Sequence, residues 1–166
     1  MQLAPAPLAL VMLCAALGFS GCAHRGLEDG VFHGDGYRVV LPAGWRVIPD
    51  GRAALSLAHG ERPSAMLINP TCKGRELSRS PEVLLRHLLF GLRGPRLTER
   101  SGTTVGGFPA DRAVFEGSTD AGPVRGEAIV VRGPDCVYDF LYVAPPDAFD
   151  AGLDDFRSFV DSLRSP

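Results

Sequence analysis

Asp139 stands inside the apolar run Cys136-Val137-Tyr138-Asp139-Phe140-Leu141-Tyr142-Val143, where a carboxylate must be paired or lose solvation. It is either a ligand contact or acid in a pocket, or half of an ion pair with Arg112 or Arg125 on a neighbouring strand. The ion pair is the expectation. Asp147, Asp150, Asp154 and Asp155 cluster, but without the alternating Asp/Asn-Gly loop that a calcium site uses. They sit where the positive end of a helix would favour them. His33, His59 and His87 have no metal-ligand spacing, and no Gly-x-Ser-x-Gly, His-Glu-x-x-His, Walker A or dinucleotide fingerprint is present. Catalytic residues, cofactors and metals are therefore not expected.

The cysteines carry the clearer chemistry. Leu8 to Leu17 is an uncharged apolar stretch too short to cross a hydrocarbon core of about 30 Å at about 1.5 Å per residue, and it suits the core of an export signal. Ser20-Gly21-Cys22 follows. This ending resembles the lipobox of bacterial lipoproteins, whose cysteine is diacylated and becomes the first residue of the mature chain. The resemblance implies a signal over residues 1–21, lipid on Cys22 and anchoring in an envelope membrane. Ala23 in the next position resembles outer-membrane sorting, with the domain facing the periplasm. Secretion with cleavage after Ala23, or an uncleaved anchor, are the other outcomes such a segment allows. In each cleaved case Cys14 is removed, and Cys22 carries lipid or leaves too. Cys72 and Cys136 then remain as an even pair in an oxidising compartment, which favours a disulfide closing a loop of more than sixty residues. A metal site is the alternative, but neither cysteine has a Cys-x-x-Cys or His-x-x-His neighbour.

Removing the signal leaves roughly 145 residues, enough for one domain with a real core. The formal net charge is −2 and no basic block stands out, so nucleic acid is not an expected partner. Twenty glycines and fourteen prolines beside 45% apolar residues describe a folded domain rich in turns.

Residues 22–30 read as a polar tether and 31–166 as the domain. Val31-Phe32-His33 and Tyr37 to Leu41 flank Gly34-Asp35-Gly36 as a hairpin, and strands are expected at 45–48, 53–58 and 64–69. Ser80 caps a helix that starts at Pro81 and runs to Gly94-Pro95. Leu84, Leu85, Leu88 and Leu92 lie opposite Glu82, Arg86 and Arg93, so this helix should be buried over most of its girth. Strands at 96–104, 110–116, 124–132 and 136–143 form an antiparallel meander. Cys136, Tyr138, Phe140 and Tyr142 face one way, Val137, Asp139, Leu141 and Val143 the other, which makes the last strand central. Phe149, Leu153, Phe156, Val160 and Leu163 define a second helix, with Gly152 able to split off its first turn. Phe32, Tyr37, Trp45 and Phe108 are candidates for an exposed aromatic patch, with Trp45 the one best suited to the core.

The strand Tyr37-Arg38-Val39-Val40-Leu41-Pro42-Ala43-Gly44-Trp45, the turn Val105-Gly106-Gly107-Phe108-Pro109-Ala110, and the pairing of 138–143 with 156–163 resemble the PsbP-like superfamily. That superfamily is named for an extrinsic photosystem II subunit and shared by many small bacterial lipoproteins. The resemblance implies an α+β fold, an antiparallel sheet of six to seven strands flanked by two main helices. It also implies a non-enzymatic binding or assembly-support module, with an envelope protein as partner. A small-ligand-binding protein or hydrolase with a scattered site is the alternative.

Overall fold

The computed structural model describes residues 26–49 and 51–165. Cys14, Cys22 and the signal segment lie outside the described residues. Ten strands, a short 3-10 turn at Arg75–Ser78 and two helices follow in order: β1 (Gly26–Glu28), β2 (Val31–His33), β3 (Arg38–Val40), β4 (Trp45–Val47), β5 (Leu55–His59) and β6 (Ala65–Thr71), then α1 (Pro81–Leu88), β7 (Arg93–Val105), β8 (Phe108–Thr119), β9 (Gly122–Arg132), β10 (Val137–Ala144) and α2 (Phe149–Asp161). The last residues read as tether, from Gly26 onward, take part in the fold as β1 and its turn.

The large sheet has seven antiparallel strands in the order β4-β5-β6-β10-β9-β8-β7, and β1-β2-β3 form a small one. The expected meander is β7 to β10. Its first turn is Gly106-Gly107, with φ of +58° and +88°, values that two glycines reach without strain in a tight hairpin. β10 is central, between β6 and β9, and its alternation sorts two cores. Tyr138, Phe140 and Tyr142 pack with Phe149, Phe156, Phe159 and Val160 of α2 and with Tyr37 and Val39 of the small sheet. Val137 on the other face joins Leu84, Leu85 and Leu89 beside Phe115 and Val130.

Ser80 caps α1 through Val83 N, with Pro81 in the first turn. The helix is shorter than expected, ending at Leu88, because Gly91 at φ +106° turns the chain into β7. It is also buried on one side only: Glu82, Arg86 and His87 are exposed. In α2, Gly152 does not interrupt the helix. A Cβ there would lie 2.4 Å from the Tyr142 hydroxyl, so the glycine is a close-packing position. β3 is tied to the end of α2 by a bridge between Arg38 and Arg164 and by Val40 N donating to Ser162 Oγ at 2.8 Å.

Cys72 and Cys136 form a disulfide across a sequence separation of 64, one step beyond the Thr71–Val137 pair of β6 and β10. It closes the loop carrying α1 and β7 to β9, worth about 4 kcal/mol in the chain-entropy picture. Replacing both cysteines by serine is expected to lower stability by about 2–4 kcal/mol in urea unfolding, and reductant should reproduce the loss in the wild type alone.

Candidate functional site

The disulfide end of the β6–β10 pair borders a cleft of about 590 Å3. Phe32, His33, Gly34, Asp35 and Tyr37 of the β2–β3 hairpin form one wall, Pro70, Thr71, Cys72 and Lys73 the other, and Ala54 closes one side. The hairpin is held by Gly34 N donating to Tyr37 O at 2.9 Å. A Cβ on Gly34 would fall 2.0 Å from the Tyr37 ring, so only glycine lets that ring cross the turn. Tyr37 in turn meets Phe32 and Tyr138 at ring-centroid distances of 6.2 and 5.6 Å. The volume falls within the range of small-molecule sites, about 300–1,000 Å3, and the walls are mostly apolar.

A second polar centre lies under α2. Glu127, 0% exposed in β9, accepts from Arg112 Nη2 at 2.6 Å and from Arg157 Nη2 at 3.1 Å. Glu99 stands 3.4 Å from Arg112 Nη1. The hydrogen bond to Glu127 is the main reason the Arg112 guanidinium holds its proton more tightly than usual, against the opposing effect of burial. The arrangement joins β8, β9 and α2, and its charges satisfy one another.

At the opposite end of the sheet, Asp155 accepts from Trp45 Nε1 at 3.1 Å and from Arg62 Nη2 at 2.5 Å. His59 Nδ1 accepts from the backbone N–H of Glu61 and Arg62, both at 3.1 Å. These residues order the turn beside a cleft of about 430 Å3 lined by Pro63, Pro123 and Val143. Tyr142, which donates to Phe149 O at 2.9 Å, is pushed up from its ordinary pKa chiefly by burial.

Asp139 is half-buried opposite Asn69 and Val130, on the face that α1 covers. The ion pair expected with Arg112 or Arg125 does not form. Arg112 pairs in register with Ile129 and Arg125 with Ala144, both on the α2 face, and cross-strand neighbours share a face. Arg112 serves Glu127, and Arg125 lies 4.6 Å over the Phe149 ring. Asp139 does not line the large cleft. The four helix aspartates divide: Asp155 is engaged as described, while Asp147, Asp150 and Asp154 are exposed. Among the described residues no group of three or more His, Cys, Asp or Glu is placed to hold a metal.

The histidines are separated: His33 lines the cleft, His59 orders its turn, and His87 Nε2 stands 3.4 Å from Arg79. The four candidate aromatics do not form an exposed patch, and Trp45 is in the core as expected. Tyr37 and Trp45 are buried, Phe32 and Phe108 pack against the core, and among the described residues the exposed ring is Phe90, 94% accessible in the turn after α1. Glu127 escaped the sequence reading because nothing local in Gly126-Glu127-Ala128 marks the two arginines that reach it from β8 and α2.

A seven-stranded antiparallel sheet with α1 on one face, and α2 and a three-stranded sheet on the other, is a PsbP-like α+β fold. Cyanobacterial PsbP (CyanoP) from Synechocystis is similar over 92% of this chain and 99% of its own, at TM-score 0.60 and 14% identity. LpqN of Mycobacterium tuberculosis, described as involved in cell envelope biogenesis, is similar over 78% of this chain and 83% of its own, at TM-score 0.58 and 18% identity. A Pseudomonas aeruginosa protein of unknown function matches at TM-score 0.53 and 12% identity, over 82% and 96% of the two chains. No protein-family model matches the sequence, and no curated protein matches it significantly.

Replacing Glu127 by alanine leaves two guanidinium groups facing each other over a buried cavity and is expected to cost about 3 kcal/mol in urea unfolding. Arg157→Ala, at a side chain 44% exposed, should cost under about 1 kcal/mol in the same assay. The raised Tyr142 favours the protonated fold, so its contribution is complete below the unfolded value of about 10 and is lost as pH rises through the higher folded one. Tyr142→Phe should flatten the fall in urea midpoint that sets in above about pH 10, at a cost of about 1 kcal/mol at neutral pH.

Proposed function

We propose that this protein is a lipid-anchored, extracytoplasmic and non-enzymatic binding domain of the bacterial envelope, and that the cleft beside Cys72–Cys136 is where it binds. The observation that carries the reading is a mostly apolar cleft of about 590 Å3 outside a filled core. The pair of cysteines suits an oxidising compartment, and the Ser20-Gly21-Cys22 ending of the apolar leader supports the anchor. LpqN, a protein of similar fold, is described as acting in cell envelope biogenesis. An envelope protein partner is the second part of the proposal, and the exposed Phe90 ring supports it.

Intact mass after bacterial expression is expected to show Cys22 as an acylated first residue, and Cys22→Ala should release the protein from the membrane fraction. The neutral probe N-phenyl-1-naphthylamine should bind the oxidised protein at a single site. Ala54→Trp, which fills the cleft from an exposed position, should abolish that binding. A wild type that leaves the dye dark would overturn the choice of site.

A further inference from the structure

The cleft's lining is of two kinds. Phe32, Tyr37, Ala54 and Pro70 present carbon, while His33, Asp35, Thr71 and Lys73 supply polar groups. Asp35 already has an interaction within the protein. Lys73 is exposed and has no ion-pair partner among the described residues. It is also the only lysine in the chain, every other permanently cationic side chain being arginine. Its immediate neighbour Cys72 is fixed by the disulfide, so the backbone that carries Lys73 is held beside the cleft. A compact, exposed cation beside apolar walls selects an amphipathic anion: the apolar body is removed from water along the walls, and the charge stays in contact with solvent and the ammonium group. A neutral apolar ligand leaves the lysine unused, and an amphipathic cation meets a like charge.

Resting on the reading of this cleft as the binding site, we infer that its ligand is a small amphipathic anion whose carboxylate, sulfonate or phosphate group is held by Lys73. Its apolar body lies against Phe32, Tyr37, Ala54 and Pro70.

Two probes with the same aromatic body separate the two readings: 1-anilinonaphthalene-8-sulfonate, which is anionic, and N-phenyl-1-naphthylamine, which is neutral. With the purified, oxidised full chain, the sulfonate should bind about tenfold tighter, as a hydrogen bond to a charged group implies. Lys73→Met should remove that advantage, read as the ratio of the two probes' affinities for the same variant, and Lys73→Arg should keep most of it. Bound sulfonate should also slow acetylation of Lys73 by an amine-reactive ester, read by peptide mass, and Ala54→Trp should remove this protection. Decanoate and decyl phosphate, competing against the sulfonate, distinguish a carboxylate from a phosphate head group, while decanol should compete about tenfold less well than either. If both probes bind but Lys73→Met leaves the sulfonate's affinity intact, the anion reading is overturned while the cleft stands. Failure of both probes to bind the wild type overturns the cleft itself.

Discussion

The pairing of β6 with β10 is the constraint from which the rest of the architecture follows. It brings residues 65–71 against 137–143 at the centre of the sheet and fixes which side chains of β10 meet α2 and which meet α1. Because strand side chains alternate, a slip of one residue would turn Tyr138, Phe140 and Tyr142 away from α2 and bring Asp139 into its aromatic core. The Cys72–Cys136 bond lies one step past the last pair and opposes that slip covalently. Hydrophobic sorting and the cross-link thus specify the same register, which is the agreement between levels that gives one folded state.

The β7 edge of the sheet shows how open strand pairing is discouraged. β7 is thirteen residues long and exposed along nearly all of its length, an arrangement that invites pairing with another chain. Arg93, Arg96, Glu99 and Arg100 occupy it, Pro95 removes a donor, and its register against β8 shifts twice. The ion pairs Arg96–Glu116 and Arg93–Asp120 are solvent-exposed and contribute little stability. Their charges instead discourage a neighbouring strand from docking, a role independent of pair energy.

The hairpins, the central last strand and the amphipathic second helix were legible because each depends on local periodicity and turn chemistry. The doubly glycine turn at Gly106-Gly107 and the alternation of 136–143 needed no knowledge of the partner. The disulfide was legible for a different reason, since the export-signal reading of the leader leaves two thiols. Polar pairing was not legible. Asp139 was matched with Arg112 and Arg125 by proximity of strands, whereas register parity puts those arginines on the opposite face. Glu127 shows the same limit from the other side: its partners come from β8 and α2, and only the closed structure brings them to one oxygen pair. The cleft was illegible too, because its two walls lie more than thirty residues apart in sequence and meet at a sheet boundary rather than in a motif.

That boundary explains why the cleft lies where it does. β1 to β3 form their own sheet and are not hydrogen-bonded to the large one as neighbouring strands. They adhere through Tyr37 and Val39 in the core and through the Arg38–Arg164 bridge at the end of α2. The hairpin tip at Gly34-Asp35-Gly36 lies between β2 and β3, and Gly34 and Asp35 face Pro70 to Lys73 across the cleft. A concavity at such a junction does not subtract from the core, since Tyr138 and Phe140 of the central strand are fully packed. Its shape is nevertheless determined on both sides: by Tyr37, whose ring crosses Gly34, and by Cys72, whose position the disulfide fixes. A site built from a rigid cross-link on one wall and a packed aromatic on the other is preorganised, and preorganisation reduces the entropy lost when a ligand binds. The oxidised bond therefore has two consequences from one covalent constraint, the register of the central strands and the form of the cleft.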